Sequence, residues 1–146
     1  MTFDMDRSLG FILNKTSLLS KAAFAAKIKA FGISPEQWSL IFRVVETSGL
    51  TQKELSESTY KDQANITRTV DRLELKGLLR RVQNETDRRI VNLYPTPEAT
   101  ALVEAVVPIS TAFNTELTEG FTSQERETLM GLLQKIYTNL DKKEDK

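Results

Sequence analysis

The chain changes texture at Gly77, and no other feature narrows its fold as much. Upstream, Ile66, Val70 and Leu73 recur at helical spacing behind Asp62, a good N-cap, and Gly77 suits the helix end after Lys76. Downstream come two short runs rich in β-branched and apolar residues, "LLRRV" and "RIVNLY", separated by the polar turn at Asn84, Glu85 and Thr86. The pattern predicts a helix from Asp62 to Lys76 running straight into a β-hairpin. Arg88 and Arg89 stand at the hairpin tip, where long side chains are costly to order and add nothing to a core. Their presence points to an anionic receiver outside the chain.

Three more helix starts are written locally. "SPEQW" offers Ser34 as N-cap, Pro35 at the first helical position and Gln37 closing a capping box; "TQKE" and "TSQE" repeat the box with Thr51/Glu54 and Thr122/Glu125. A first helix is predicted from Asp6 to Ala30, ended by Gly32. Trp38, Ile41, Phe42 and Val45 form the apolar face of the second. From Pro97 helical spacing returns through Leu102, Val106, Ile109, Phe113 and Leu117, with Pro108 expected to kink the helix. Leu129, Leu132, Leu133, Ile136 and Leu140 stripe the last one. The fold class is mainly α with a small β-hairpin wing: a winged helix-turn-helix, its turn through "STYK", flanked by N- and C-terminal helices. The outer helices carry more apolar surface than so small a domain covers alone, which predicts a homodimer.

With 146 residues, one domain is expected. Cysteine and histidine are both absent, which rules out disulfides, thiol chemistry, thiolate metal sites and any imidazole base or ligand. No Gly-rich phosphate loop or dinucleotide fingerprint is present, so an enzyme is disfavoured and neither cofactor nor metal is expected. No apolar run reaches the length of a membrane span and the N-terminus carries acids, which predicts a cytoplasmic protein without a membrane partner. The formal charge is zero but uneven: Lys61 to Tyr94 holds eight basic side chains against five acidic ones, and Pro95 to the end holds five against nine. A basic middle suits an anionic partner.

"GISPEQWSLIFRVVETSGLTQKELSES", "NITRTVDRLELKGLLRR" and "ETDRRIVNLYPTPEA" resemble the MarR family of bacterial transcriptional regulators. The resemblance covers Ile33 to Ala99 by motif and the flanking helices by length and order; "YPTPEA" departs from the family's "LT" followed by an acid and Gly. It implies one MarR-type domain over 1–146, with a DNA-binding lobe at 33–94 and dimerisation regions at 1–32 and 95–146. It also implies a sequence-specific regulator of double-stranded DNA, expected to repress from a pseudo-palindromic operator. A winged-helix module for protein interaction is the alternative, to which the zero net charge lends weight.

On a helix capped by Asp62, the residues Ala64, Asn65, Thr67 and Arg68 lie on or near the face opposite Ile66, Val70 and Leu73. Arg68 suits guanine and Asn65 adenine, while Gln63 on the flank suits a base or a phosphate. The other reading of these positions is an ordinary solvated helix face. Lys53, Lys61 and Arg80 are phosphate candidates. In the resembling family the wing arginine enters the minor groove; that position here is Arg89, with Arg88 in the variable place. Asp87 is expected to orient either Arg89 or Arg72. The family also implies a small aromatic or carboxylated effector, for which Asn14, Leu18, Trp38 and Phe42 are the matching positions. Trp38 and Phe42 read equally as plain core.

Overall fold

The computed structural model describes residues 2–60 and 62–144. Its elements are α1 (Leu9–Ile28), α2 (Pro35–Glu46), α3 (Gln52–Ser58), α4 (Gln63–Leu75), β1 (Leu79–Gln83), β2 (Val91–Pro95), α5 (Pro97–Leu117) and α6 (Ser123–Glu144). Short 3-10 turns, Met5–Arg7 and Lys29–Phe31, flank α1. The chain divides into two compact units, the first ending at Ser110 and the second starting at Thr111. Among the described residues no helix is long and apolar enough to cross a membrane.

The helix starts form as their local chemistry dictates. Ser34 Oγ accepts from Gln37 N at 3.1 Å while Ser34 N donates to Gln37 Oε1 at 3.1 Å. Thr51 with Glu54, and Thr122 with Glu125, close the same reciprocal box. Asp62 caps α4 through Asn65 N at 3.1 Å. Glu54 is held below its ordinary carboxylate range, first by the Thr51 backbone N–H and then by its hydroxyl. Gly77 ends α4 with φ +75°, the left-handed conformation in which a side chain is strained.

In the first unit, α2 packs on α1, α3 and β2, and α4 packs on α3 and β1. Ile28, Ile41, Val44, Leu55, Val70, Leu73 and Leu93 are all fully buried. Each such side chain contributes roughly 1.5–3 kcal/mol relative to exposure. The inward face of α2 runs through Trp38, Leu40, Ile41 and Val44; Phe42 and Val45, expected on it, are half-buried. Apolar residues on both sides of Arg43, from Ile41 to Val45, leave that rotation ambiguous in the sequence. Lys76 Nζ reaches Gly32 O at 2.6 Å and Gln37 Oε1 at 3.1 Å, tying the end of α4 to the α1–α2 link.

The hairpin is antiparallel, with Leu79 opposite Pro95, Arg81 opposite Leu93 and Gln83 opposite Val91. A third segment backs it, which the sequence did not reveal: Thr51 bridges to Asn92, Gly49 N donates to Leu93 O at 2.8 Å, and Leu93 N donates to Leu50 O at 2.9 Å. Gly49 has φ +89°, and a Cβ there would meet the Tyr94 ring at 3.3 Å. Helix α5 is helical on both sides of Pro108. No described side chain of α6 is buried: Leu132, Tyr137 and Leu140 are about half exposed.

These glycines yield a ranked prediction. Gly77→Ala meets open space, so it should lose only the left-handed penalty, about 1–2 kcal/mol. Gly49→Ala adds displacement of the Tyr94 ring and should lose more. Urea unfolding of both variants checks the order.

Candidate nucleic-acid interface

Exposed cations stand on α4 and on the wing, and the fold treats the two sets differently. Arg68 is exposed on α4 and, among the described residues, has no hydrogen-bond or ion-pair partner; the side chains of Arg72 and Arg88 share that condition. Gln63 is exposed and Asn65 half-buried near the start of the same helix. Lys61 lies outside the described residues.

Thr67 is exposed, but its hydroxyl is occupied. Oγ1 donates to Gln63 O at 2.9 Å and accepts from Gln52 Nε2 at 2.8 Å, linking the start of α3 to α4. Its carbonyl oxygen accepts from Arg81 Nη2 at 3.2 Å. Arg81 continues to Asp71 at 2.6 Å and Glu74 at 3.3 Å, and its backbone N–H donates to Glu74 Oε2 at 3.1 Å. The Arg81 side chain is 23% exposed, the least open of the ion-paired arginines among the described residues, so these bonds are less screened than an ordinary surface pair. Arg81 thereby pins β1 to α4. Sequence reading missed it, although a signal existed: Leu79 and Arg81 share one face of β1, and Leu79 is core. An arginine on the core face needs acids, and Asp71 and Glu74 stand one helical turn apart.

The wing tip is wired from within. Asn84 Oδ1 accepts from Thr86 N at 2.9 Å, Thr86 Oγ1 at 2.6 Å and Asp87 N at 3.1 Å, an Asx-type turn. Gln83 Nε2 donates to Arg88 O at 2.7 Å. Asp87 holds Arg89, not Arg72: its Oδ1 accepts from Arg89 N at 3.0 Å and Nε at 3.1 Å, and its Oδ2 accepts from Nη2 at 3.0 Å. Arg89 nevertheless remains 91% exposed. Its side chain, then its backbone N–H, hold the Asp87 carboxyl below the usual range, and the carboxylate raises the guanidinium in return. Between this tip and α3 lies an open cleft lined by Thr51, Gln52, Lys53, Arg89, Ile90 and Val91. Arg80 is exposed on the strand that leads to it.

The four effector positions separate into two pairs. Trp38 is buried with its ring 5.6 Å from that of Phe42, inclined at 52°, which is core packing. Asn14 and Leu18 lie exposed on α1.

The family model described as "MarR family" matches residues 33–91. A putative transcriptional regulatory protein for the hcr operon of Thauera aromatica is 33% identical over 138 residues, which span 91% of this chain and 81% of that protein. This chain belongs to the MarR family. It is a transcriptional regulator of that family. A single-site mutant of MarR from E. coli, solved in complex with operator DNA, superimposes with a TM-score of 0.84 at 25% identity, over 93% of this chain and 98% of that one. BpsR of Bordetella bronchiseptica, whose DNA binding is regulated by 6-hydroxynicotinic acid, has the same fold, with a TM-score of 0.88 at 23% identity over 94% and 98% of the two chains. The departure at "YPTPEA" leaves this MarR-family chain an ordered junction. Thr96 Oγ1 donates to Gly77 O at 2.7 Å and accepts from Ala99 N at 3.2 Å, so it starts α5 and closes the hairpin base together.

The sign of the Asp87 shift fixes a pH dependence. A carboxylate held below its unfolded value of about 4 keeps its partner at neutral pH and loses it as pH falls through the lowered value. In NMR titration the Asp87 carboxyl should therefore titrate below the ordinary aspartate range, and in Arg89→Ala move only part of the way back, because the backbone N–H at position 89 still donates to it. Arg81→Ala should destabilise the protein by about 1–2 kcal/mol in urea unfolding, because it strips partners from two acids and one backbone carbonyl.

Proposed function

We propose that the protein works as a homodimeric repressor, one MarR-type domain per chain, on a pseudo-palindromic operator. The observation that carries this reading is the pair of exposed guanidiniums, Arg68 on α4 and Arg89 on the wing, presented by elements that Arg81 fastens together. Helix α4 enters the major groove, with Arg68 on guanine, Asn65 on adenine and Gln63 on a base or a phosphate. Arg89 enters the flanking minor groove, where a narrow groove concentrates negative potential. Arg88 assists, and Lys53, Lys61 and Arg80 meet phosphates. A dimer is supported by apolar side chains left in the open: Leu18 and Leu19 on α1 are 70% and 73% exposed, and Leu132 and Leu140 on α6 are 52% and 58% exposed. An isolated helix of that composition has little reason to stay formed without a partner face. Covering a promoter with such a dimer blocks transcription. A small aromatic or carboxylated effector relieves it by changing the spacing of the two recognition helices, and the ligand of BpsR is of that class.

Selection of bound duplexes from a random pool tests operator recognition, symmetry and spacing together. On the selected sequence, Arg68→Ala should lose about 1–3 kcal/mol at one base position per half-site and relax specificity there. Arg89→Ala should weaken all duplexes alike and reduce the salt slope by about one, with Arg88→Ala doing less. Uniform loss in Arg68→Ala would make that residue a phosphate contact, and unchanged binding in Arg89→Ala at every salt concentration would remove the wing from the interface. Sedimentation at micromolar concentration should show a dimer.

A further inference from the structure

We propose that Thr67 is a specificity-determining residue that reads the C5-methyl group of a thymine with its own methyl group, because its hydroxyl is already spent inside the fold. The inference rests on the operator-binding reading above. A threonine hydroxyl has one proton to donate and two lone pairs to accept with. Here the proton goes to Gln63 O at 2.9 Å, and one lone pair takes Gln52 Nε2 at 2.8 Å. The backbone at the same residue is held by Arg81 at 3.2 Å, so α3, α4 and the wing all converge on Thr67. A β-branched side chain in a helix has few χ1 wells to begin with, and these contacts select one. Donation to guanine O6 or N7, adenine N7 or thymine O4 would require breaking the bond to Gln63.

Yet Thr67 is exposed, next to Arg68 and two residues from Asn65. What it offers the major groove without rearrangement is the γ-methyl. The one base group that matches a methyl there is the C5-methyl of thymine. Arg68 and Asn65 then read by hydrogen bonding, and Thr67 between them reads by apolar contact. The hydroxyl retains one lone pair, so an amino group of adenine or cytosine is the competing ligand, and the test separates the two.

The experiment uses the full-length protein and duplexes selected by it from a random pool. Each thymine is replaced singly by deoxyuridine, which lacks only the C5-methyl. The wild-type protein should lose about four-fold in affinity at one thymine per half-site, the factor for one buried methyl. Thr67→Ser keeps the hydroxyl and drops the methyl, so it should bind the thymine and deoxyuridine duplexes equally. Thr67→Val keeps the methyl and drops the hydroxyl, so it should retain the discrimination. A wild-type protein indifferent to every deoxyuridine substitution, or discrimination that survives in Thr67→Ser and vanishes in Thr67→Val, overturns the proposal while leaving operator binding intact. Failure to enrich or bind any duplex overturns the operator reading, and this inference with it.

Discussion

The guanidinium of Arg81 is where α4 and the wing become one body. A two-stranded hairpin is marginal by itself, and its tip would wander relative to a helix joined to it through the short Lys76–Leu78 link. Arg81 removes that freedom with bonds to Asp71, Glu74 and the Thr67 carbonyl, made on a partly covered face of β1. Strand register holds it there, since Arg81 stands opposite the buried Leu93. The backing segment at Gly49 to Thr51 adds a second restraint from the other side of β2. Helix α4 and the wing are thereby placed by the same small set of contacts.

The arrangement also settles which arginines are prepared and which are free. Arg89 keeps an exposed head on an ordered stem, because Asp87 accepts its backbone and side-chain N–H groups while Asn84 shapes the turn beneath. Much of the entropy of ordering a long side chain is therefore lost on folding, not on binding. Arg68 is held by no hydrogen bond or ion pair among the described residues. A held cation suits a groove read by shape and potential, whereas a free one suits a base edge that it must reach and align to. The neutral net charge does not oppose this division, since the acids that balance these cations lie largely after Pro95.

The same chain leaves apolar area uncovered on α1 and on α6, each considered by itself. Capping at Thr122 and the bond from Arg126 Nε to Thr118 Oγ1 at 3.1 Å shape the start of α6, yet they supply no burial. The lobe that carries Arg68 and Arg89 is different: Ile41, Val44, Val70 and Leu73 are fully enclosed there. The apolar face around α4 is thus already satisfied, whereas the apolar side chains of α1 and α6 remain largely in the open.

Much of the fold was legible in the sequence because its signals are local. Ser34, Thr51, Asp62 and Thr122 cap the helices they were expected to cap, since each acts within three residues along the chain. The hairpin and its Asn84 turn follow from the same short-range chemistry. What sequence left undecided was contact between segments far apart. The rotation of α2 that buries Val44 and leaves Val45 half-buried depends on what packs against it. The pairing of Thr51 with Asn92 joins residues forty-one positions apart, and no local pattern encodes it. Asp87 had two arginines within plausible reach, and only the turn geometry selected Arg89 over Arg72. Thr67 shows the limit most clearly: the sequence marked it as an outward hydrogen-bonding residue, and the packing of α3 on α4 brought Gln52 to its hydroxyl. Residue type and spacing determine which groups a helix presents; tertiary contact decides which of those groups are still free to bind.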